Sequence, residues 1–230
     1  LPSIAVLSNG GFVAAWTKTN IQGRHVLFRV FGPDGSPAGA EVIAGAPGAP
    51  WVGPKVTADA AGRFVLAWSE SISSGIRRRV RAQRFSADGE ALGPILVVAE
   101  APAADWSYSL WDIAARPDGS FLVLYDRRQV SIDTIPGDPI DGYGELPMVR
   151  AYDATGAPLG DAVFASSLPS EYLAGGAAEA SAEGWTASWS LSSFVDRTWQ
   201  QGVYLRSFSP GCGGTASALC LGSGRVRVEV

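Results

Sequence analysis

A pattern that occurs four times along the chain is the strongest constraint on its fold. Each copy begins with a polar turn that contains glycine, and continues as a β-prone apolar run that ends in an aromatic residue. The copies occupy residues 9–16, 61–68, 118–125 and 182–189. Because the closing aromatic residues recur at intervals of roughly 50 to 65 residues, the sequence is that of a repeat protein.

The second half of each repeat reads as a strand, a turn and a further strand. The strand before the turn ends in an aromatic residue, which is Phe31, Phe85, Tyr152 or Phe208. The glycines of the turns supply the positive φ that tight hairpins require. Val26, Phe28 and Val30 alternate with His25, Leu27 and Arg29, and this period of two is typical of a half-buried strand.

Four strands per repeat predict an all-β fold, a β-propeller or partial propeller built of about four four-stranded antiparallel blades. We place the repeats at residues 1–48, 49–104, 105–168 and 169–209, followed by a tail at 210–230. The alanine-rich stretch 173–182 is the best helix candidate, but its Gly-Gly pair and its register favour a strand.

The closing aromatic residues are interpreted as packing residues between blades; they are Trp16, Trp68, Tyr125 and Trp189. Four blades can close a ring, although larger rings are commoner. We therefore favour an excerpt of a longer polypeptide over a closed ring of four blades.

Composition excludes several functional classes. The chain has 18 basic and 22 acidic side chains, a net charge of −4, which argues against a nucleic-acid partner. With 47% hydrophobic residues it is too apolar for a disordered protein, yet it has no apolar run long enough to span a membrane. His25, the single histidine, has no nucleophile signature beside it and is interpreted as structural or exposed.

The repeat resembles a known group of proteins. The segment Gly10-Gly11-Phe12-Val13-Ala14-Ala15-Trp16, together with the Arg-Phe-x-x-x-Gly-x-x-x-Gly pattern at 84–93, is similar to the propeller-type repeats of large bacterial secreted and cell-surface proteins. The match covers about residues 1–209. It implies a propeller at the cell surface or outside the cell, whose partners are other domains of the same polypeptide or protein subunits, and it implies no single activity.

Two cysteines lie in the tail. Given the resemblance to exported proteins, we expect Cys212 and Cys220 to form a disulfide around a short loop; free or buried thiols are the alternative. A metal site is not expected there, because no histidine or third thiol is near. The terminal strand either opens a following β-domain or closes the ring.

Four tryptophans outside the repeat anchors are candidate glycan-binding residues: Trp51, Trp106, Trp111 and Trp199. Trp51 and Trp106 precede the first strands of repeats two and three, at one rim of the propeller. Aromatic faces at a rim suit stacking on sugars. Packing between blade ends explains the same residues.

A dense run of arginines is a candidate site for an anionic glycan or phosphate. Arg77, Arg79 and Arg81 share one face of a strand. The alternative is an exposed edge strand that its charges protect from aggregation.

The acidic loop of repeat three is a weak calcium candidate. Asp133, Asp138, Asp141 and Glu145 offer the oxygen ligands that Ca²⁺ prefers, but their spacing fits no calcium motif, so a solvated loop is favoured. No other metal and no cofactor is expected.

No pair of catalytic carboxylates is evident in the sequence. We therefore expect a non-catalytic scaffold for adhesion, protein binding or assembly, and not an enzyme. Two alternatives stay open: a carbohydrate-binding propeller that uses rim tryptophans, and a propeller-type glycoside hydrolase with two carboxylates.

Overall fold

The computed structural model describes residues 2–21, 23–48, 53–72, 77–100, 106–129, 146–166, 172–195, 198–210, 219–221 and 226–229. Within these ranges the regular structure is all β-strand. The strands form four antiparallel meanders, which we call blades 1 to 4 in chain order. The predicted fold class, a partial propeller of about four four-stranded blades, is confirmed.

The blades share one strand order, with the first strand at one edge of each sheet. Blade 1 consists of β1 (Ser3–Val6), β2 (Phe12–Asn20), β3 (Gly23–Phe31) and β4 (Val42–Gly48). Blade 2 consists of β5 (Lys55–Ala58), β6 (Phe64–Ile72), β7 (Arg77–Phe85) and β8 (Leu96–Ala99). Blade 3 consists of β9 (Trp106–Ala115), β10 (Phe121–Gln129), β11 (Leu146–Tyr152) and β12 (Val163–Phe164).

Blade 4 has a divided outer strand. It consists of β13 (Tyr172–Ala180), β14 (Trp185–Val195) and β15 (Thr198–Pro210), with β16 (Leu219–Leu221) and β17 (Val226–Glu229) both paired to β15. The tail strands therefore occupy the outer position of this sheet. The alanine-rich stretch forms strand β13, and not a helix.

Tight turns join the first strand to the second and the third to the fourth. In the turn after β9, Asp118 Oδ1 accepts hydrogen bonds from the Ser120 amide at 2.9 Å and from its hydroxyl at 2.6 Å. Burial raises the pKa of Asp118, but these bonds and Arg116 outweigh it, so the pKa lies below the ordinary value. Gly119 has a φ of 91°, which a side chain would strain.

The core lies between the blades. Between blades 1 and 2, Phe64, Trp68 and Phe85 pack against a face that includes Ala15 and Phe28. The Phe28 ring meets Phe64 at 5.2 Å and Phe85 at 4.6 Å between centroids. An aromatic face of blade 2 thus covers a face of blade 1 that mixes small side chains with one phenyl ring.

The next two interfaces repeat this arrangement. Tyr125 and Tyr152 of blade 3 pack on Val65 and Ala67 of blade 2. Trp185 and Trp189 of blade 4 pack on Leu122 and Leu124 of blade 3. Phe208 belongs to the same core cluster. Three of the four closing aromatic residues therefore pack between blades, as predicted, while Trp16 lies on a face that no described blade covers.

Replacing Phe64 with alanine should lower the free energy of unfolding by about 3–5 kcal/mol, because its ring is 1% exposed and fills an inter-blade core. Phe12→Ala is the matched control, since Phe12 has the same repeat position in blade 1 but is only half-buried. We expect its loss to be less than about half as large. Urea unfolding monitored by tryptophan fluorescence measures both, and equal losses would contradict this packing.

Candidate functional site

The first strands of the blades line the propeller axis. Each is an edge strand of its own sheet, and β1, β5, β9 and β13 pack side by side in that order. We call these the inner strands. They run from the end where β6 joins β7, the loop end, to the end of the tight turns, the turn end.

Side-chain oxygens tie each inner strand to the next. An edge strand leaves backbone N–H groups without a partner in its own sheet, and these donors need acceptors. The acceptors come from the preceding inner strand: Val56 N–H donates to Ser3 Oγ at 3.2 Å, Ala115 N–H to Thr57 Oγ1 at 3.1 Å, and Ala178 N–H to Asp112 Oδ2 at 3.0 Å.

Asp112 is the inner-strand acceptor that also carries a charge. Its Oδ1 lies 3.6 Å from Lys55 Nζ on the neighbouring inner strand. The two side chains are 22% and 41% exposed, so the pair is open to solvent. Asp112 thus connects β5, β9 and β13, and we call Asp112 and Lys55 the channel pair.

The sequence analysis did not select the channel pair. Its signal was present, because Asp112 interrupts the apolar run from Leu110 to Ile113. A charged residue inside a buried strand needs a partner, which makes such a position worth testing.

A second charged cluster lies toward the loop end on the face of blade 2 that covers blade 1. Glu70 is 7% exposed and accepts from Arg79 Nε and, at 3.1 Å, from Arg81 Nε. Arg79 Nη1 also donates to Glu100 at 2.9 Å. Burial lowers the pKa of Arg79, but the hydrogen bonds to Glu100 and Glu70 outweigh it, so the pKa is raised.

This cluster bears on the arginine candidates. Arg79 and Arg81 share carboxylate partners, while Arg77 begins β7 opposite Ile72. The alternative of an exposed edge strand is wrong, because β7 lies between β6 and β8 in its sheet. Binding of an anion by these three arginines stays a prediction.

Two of the four tryptophan candidates, Trp106 and Trp111, have described side chains. Trp106 is the first residue of β9. The guanidinium carbon of Arg127 lies 4.2 Å from the centroid of the Trp106 ring and 4.9 Å from the centroid of the Phe164 ring. Trp111 is half-buried within blade 3 and contacts the blade 4 core. Trp51 and the side chain of Trp199 lie outside the described residues, so glycan stacking stays a prediction.

The remaining predicted sites fall largely on undescribed positions. The acidic residues Asp133, Asp138, Asp141 and Glu145 lie outside the described residues, as does Cys212; of Cys220 only the backbone is described. Within the described ranges there is no group of three or more metal-binding side chains. His25 is buried, as the structural interpretation predicts, with Nε2 3.1 Å from Asn20 Oδ1. The described residues also contain no helix long and apolar enough to cross a membrane.

Solved structures similar to this chain include two arabinanases. An α-L-arabinanase from Penicillium chrysogenum, solved with arabinobiose, is similar with a TM-score of 0.54 at 11% identity, over 99% of this chain and 76% of that chain. A GH43 endo-arabinanase from Bacillus licheniformis reaches a TM-score of 0.47 at 14% identity, over 97% and 79% of the two chains. No family model matches the sequence, and no curated protein matches it.

This comparison corrects the functional expectation. At such low identity the likeness shows the fold, and the arabinanase that shares this fold is an enzyme. The expectation of a non-catalytic adhesion, protein-binding or assembly scaffold that is not an enzyme is therefore wrong. The expected disulfide between Cys212 and Cys220 also finds no support in the described residues.

Replacing Glu70 with glutamine should lower the free energy of unfolding by about 2–3 kcal/mol, because two arginines lose their shared carboxylate in a partly buried site. Glu41→Gln is the matched control. This change breaks only the ion pair with Lys18, in which the Glu41 side chain is 42% and the Lys18 side chain 57% exposed. It should lower the free energy of unfolding by less than about 1 kcal/mol. Urea unfolding compares the two variants; a Glu70 variant as stable as the control would show that the cluster is dispensable.

Proposed function

We propose that this chain forms the propeller of an extracellular glycoside hydrolase that acts on polysaccharides containing L-arabinose. The observation that carries the proposal is a charged pair on the inner strands, Asp112 with Lys55, in a fold similar to that of an arabinanase solved with arabinobiose. Active sites of such scaffolds are built from side chains and loops at one end of rigid strands.

The surroundings of Asp112 suit one of the two roles that glycoside hydrolysis needs. One carboxyl group donates a proton to the leaving oxygen, and a second acts as an ionised base or nucleophile. The Lys55 ammonium, 3.6 Å from Oδ1, and the Ala178 N–H both contact the Asp112 carboxylate and hold it in place on the inner strand. We therefore assign Asp112 the role of base or nucleophile.

The proton donor is proposed from the sequence. The connection between β10 and β11, residues 130–145, contains four acidic residues and joins two strands at the loop end. A glycosidase needs its acid about 5–10 Å from the ionised carboxylate. One of these four residues is our candidate for the acid.

The extracellular setting rests on the same proposal. The repeats resemble those of secreted and cell-surface proteins of bacteria, and a polymeric arabinose-containing substrate lies outside the cell that degrades it. We therefore propose a glycan as the partner of the channel pair. Calcium binding by the acidic loop stays a prediction.

Hydrolysis of arabinan and of short arabino-oligosaccharides, followed by release of reducing sugar, tests the proposal. Asp112→Asn should reduce kcat by at least about 100-fold, because it removes the charge but keeps an oxygen that accepts from Ala178 N–H. Asp118→Asn is the control, since the Asp118 carboxylate accepts hydrogen bonds from Ser120 within a tight turn and does not belong to an inner strand.

Two results would contradict the assignment. Full activity of the Asp112 variant would remove Asp112 from the site. Binding of arabino-oligosaccharides without any turnover by the unmodified chain would favour the carbohydrate-binding alternative over the hydrolase.

A further inference from the structure

The face of blade 1 that points away from blade 2 is apolar, and no other described blade packs on it. Val6 pairs with Phe12 across the sheet and is 73% exposed; Ile4, on the same face, is 62% exposed, and Ile43 is 55% exposed. Trp16 shares this face. We call the set the open face; it consists of Ile4, Val6, Phe12, Trp16, Phe31 and Ile43.

The open face has the composition of the aromatic faces that are covered elsewhere. In blades 1, 2 and 3 the aromatic residues that begin the second strand and end the third strand stack on each other. The pairs are Phe12–Phe31 at 4.8 Å, Phe64–Phe85 at 5.2 Å and Phe121–Tyr152 at 4.9 Å. The last two pairs lie in inter-blade cores, while the first is half-buried.

The aromatic faces of blades 2, 3 and 4 each pack on a surface of small and branched side chains. The second strand of the preceding blade always contributes two such residues, which are Val13 and Ala15, Val65 and Ala67, or Leu122 and Leu124. Large aromatic rings on one side and small aliphatic side chains on the other interdigitate with few voids. The open face therefore fits a surface of the same aliphatic kind.

Arginines add a polar contact at two of these three interfaces. Arg150 of blade 3 donates to the carbonyl oxygen of Val98 in β8 at 3.0 Å. Arg206 of blade 4 donates to the carbonyl oxygen of Ala165, next to β12, at 3.0 Å. Each arginine thus reaches the outer strand of the preceding blade.

Arg29 has the same repeat position in blade 1. Like Arg150 and Arg206, it pairs across the sheet with the residue two positions after the start of the second strand. Its Nε donates to Gly39 of its own blade at 2.8 Å. The open face therefore presents the polar as well as the apolar half of an inter-blade contact.

We propose that the open face is the docking surface of a further four-stranded β-meander. That meander presents valine, alanine or leucine to Phe12, Trp16 and Phe31, and a backbone carbonyl of its outer strand to Arg29. The open face repeats the aromatic faces of the three inter-blade interfaces present in the chain, and this likeness supports the proposal independently of the proposed function.

A second copy of this chain fits the open face less well. In a head-to-tail arrangement, the far face of blade 4 would cover the open face. That far face carries Thr186 and Ser188 where the second strands of blades 1 to 3 have valine, alanine or leucine, and the Thr186 and Ser207 hydroxyls lie 3.4 Å apart. Burying these hydroxyls under aromatic rings is unfavourable.

An extended chain in which residues 2–52 are repeated ahead of Leu1 tests the proposal. The added meander brings Val13 and Ala15, which already cover such an aromatic face in blade 1. We expect the extended chain to be a monomer with one unfolding transition and a higher urea midpoint. In it, Phe12→Ala in the original blade should lower the midpoint as much as Phe64→Ala does.

The matched control carries Val13→Asp and Ala15→Asp in the added meander only. This control should lose the gain in urea midpoint. In it, Phe12→Ala should lower the midpoint only as much as it does in the 230-residue chain. An unchanged Phe12→Ala effect in the extended chain, or a separate transition for the added meander, would overturn the proposal. A dimer of the 230-residue chain in light scattering that Trp16→Ser dissociates would do the same, because a second copy would then be the occupant.

Discussion

The packing of an aromatic face of one blade on an aliphatic face of the blade before it holds this fold together. A lone four-stranded sheet has two apolar faces and cannot bury either of them by itself. Phe28 shows the consequence, since it is 0% exposed and touches rings that belong only to blade 2. Each blade is thus stable mainly through its neighbours, and the chain behaves as a stack in which every interface repeats the same chemistry.

Polar contacts fix the order of the blades without supplying most of the burial. Ser3, Thr57 and Asp112 accept N–H groups from the next inner strand, while Arg150 and Arg206 donate to the outer strand of the preceding blade. Because both kinds of contact are directional, they set how far one blade slides along another. The same inner-strand position that serves as a structural acceptor in blade 1 carries a charge in blade 3, which is where we place the chemistry.

Much of the fold follows from the sequence, whereas the site does not. The spacing of Trp68, Tyr125 and Trp189 and the Asp-Gly turns are local signals, and they predict four meanders. Asp112 and Lys55 are 57 positions apart, and only the packing of β5 on β9 brings them together. The arginines of β7 show the same limit: Arg79 and Arg81 pair with Glu70 of β6 and with Glu100, which follows β8, and a run of positive charge in the sequence does not reveal such pairing.

The most direct test of the stacked arrangement is a nuclear Overhauser experiment on the ring protons of Phe28. The structure predicts cross-peaks to both Phe64 and Phe85, whose centroids lie 5.2 and 4.6 Å away. Cross-peaks between Phe64 and Phe85 alone, with none to Phe28, would mean that blade 2 forms without packing on blade 1 and would contradict the account.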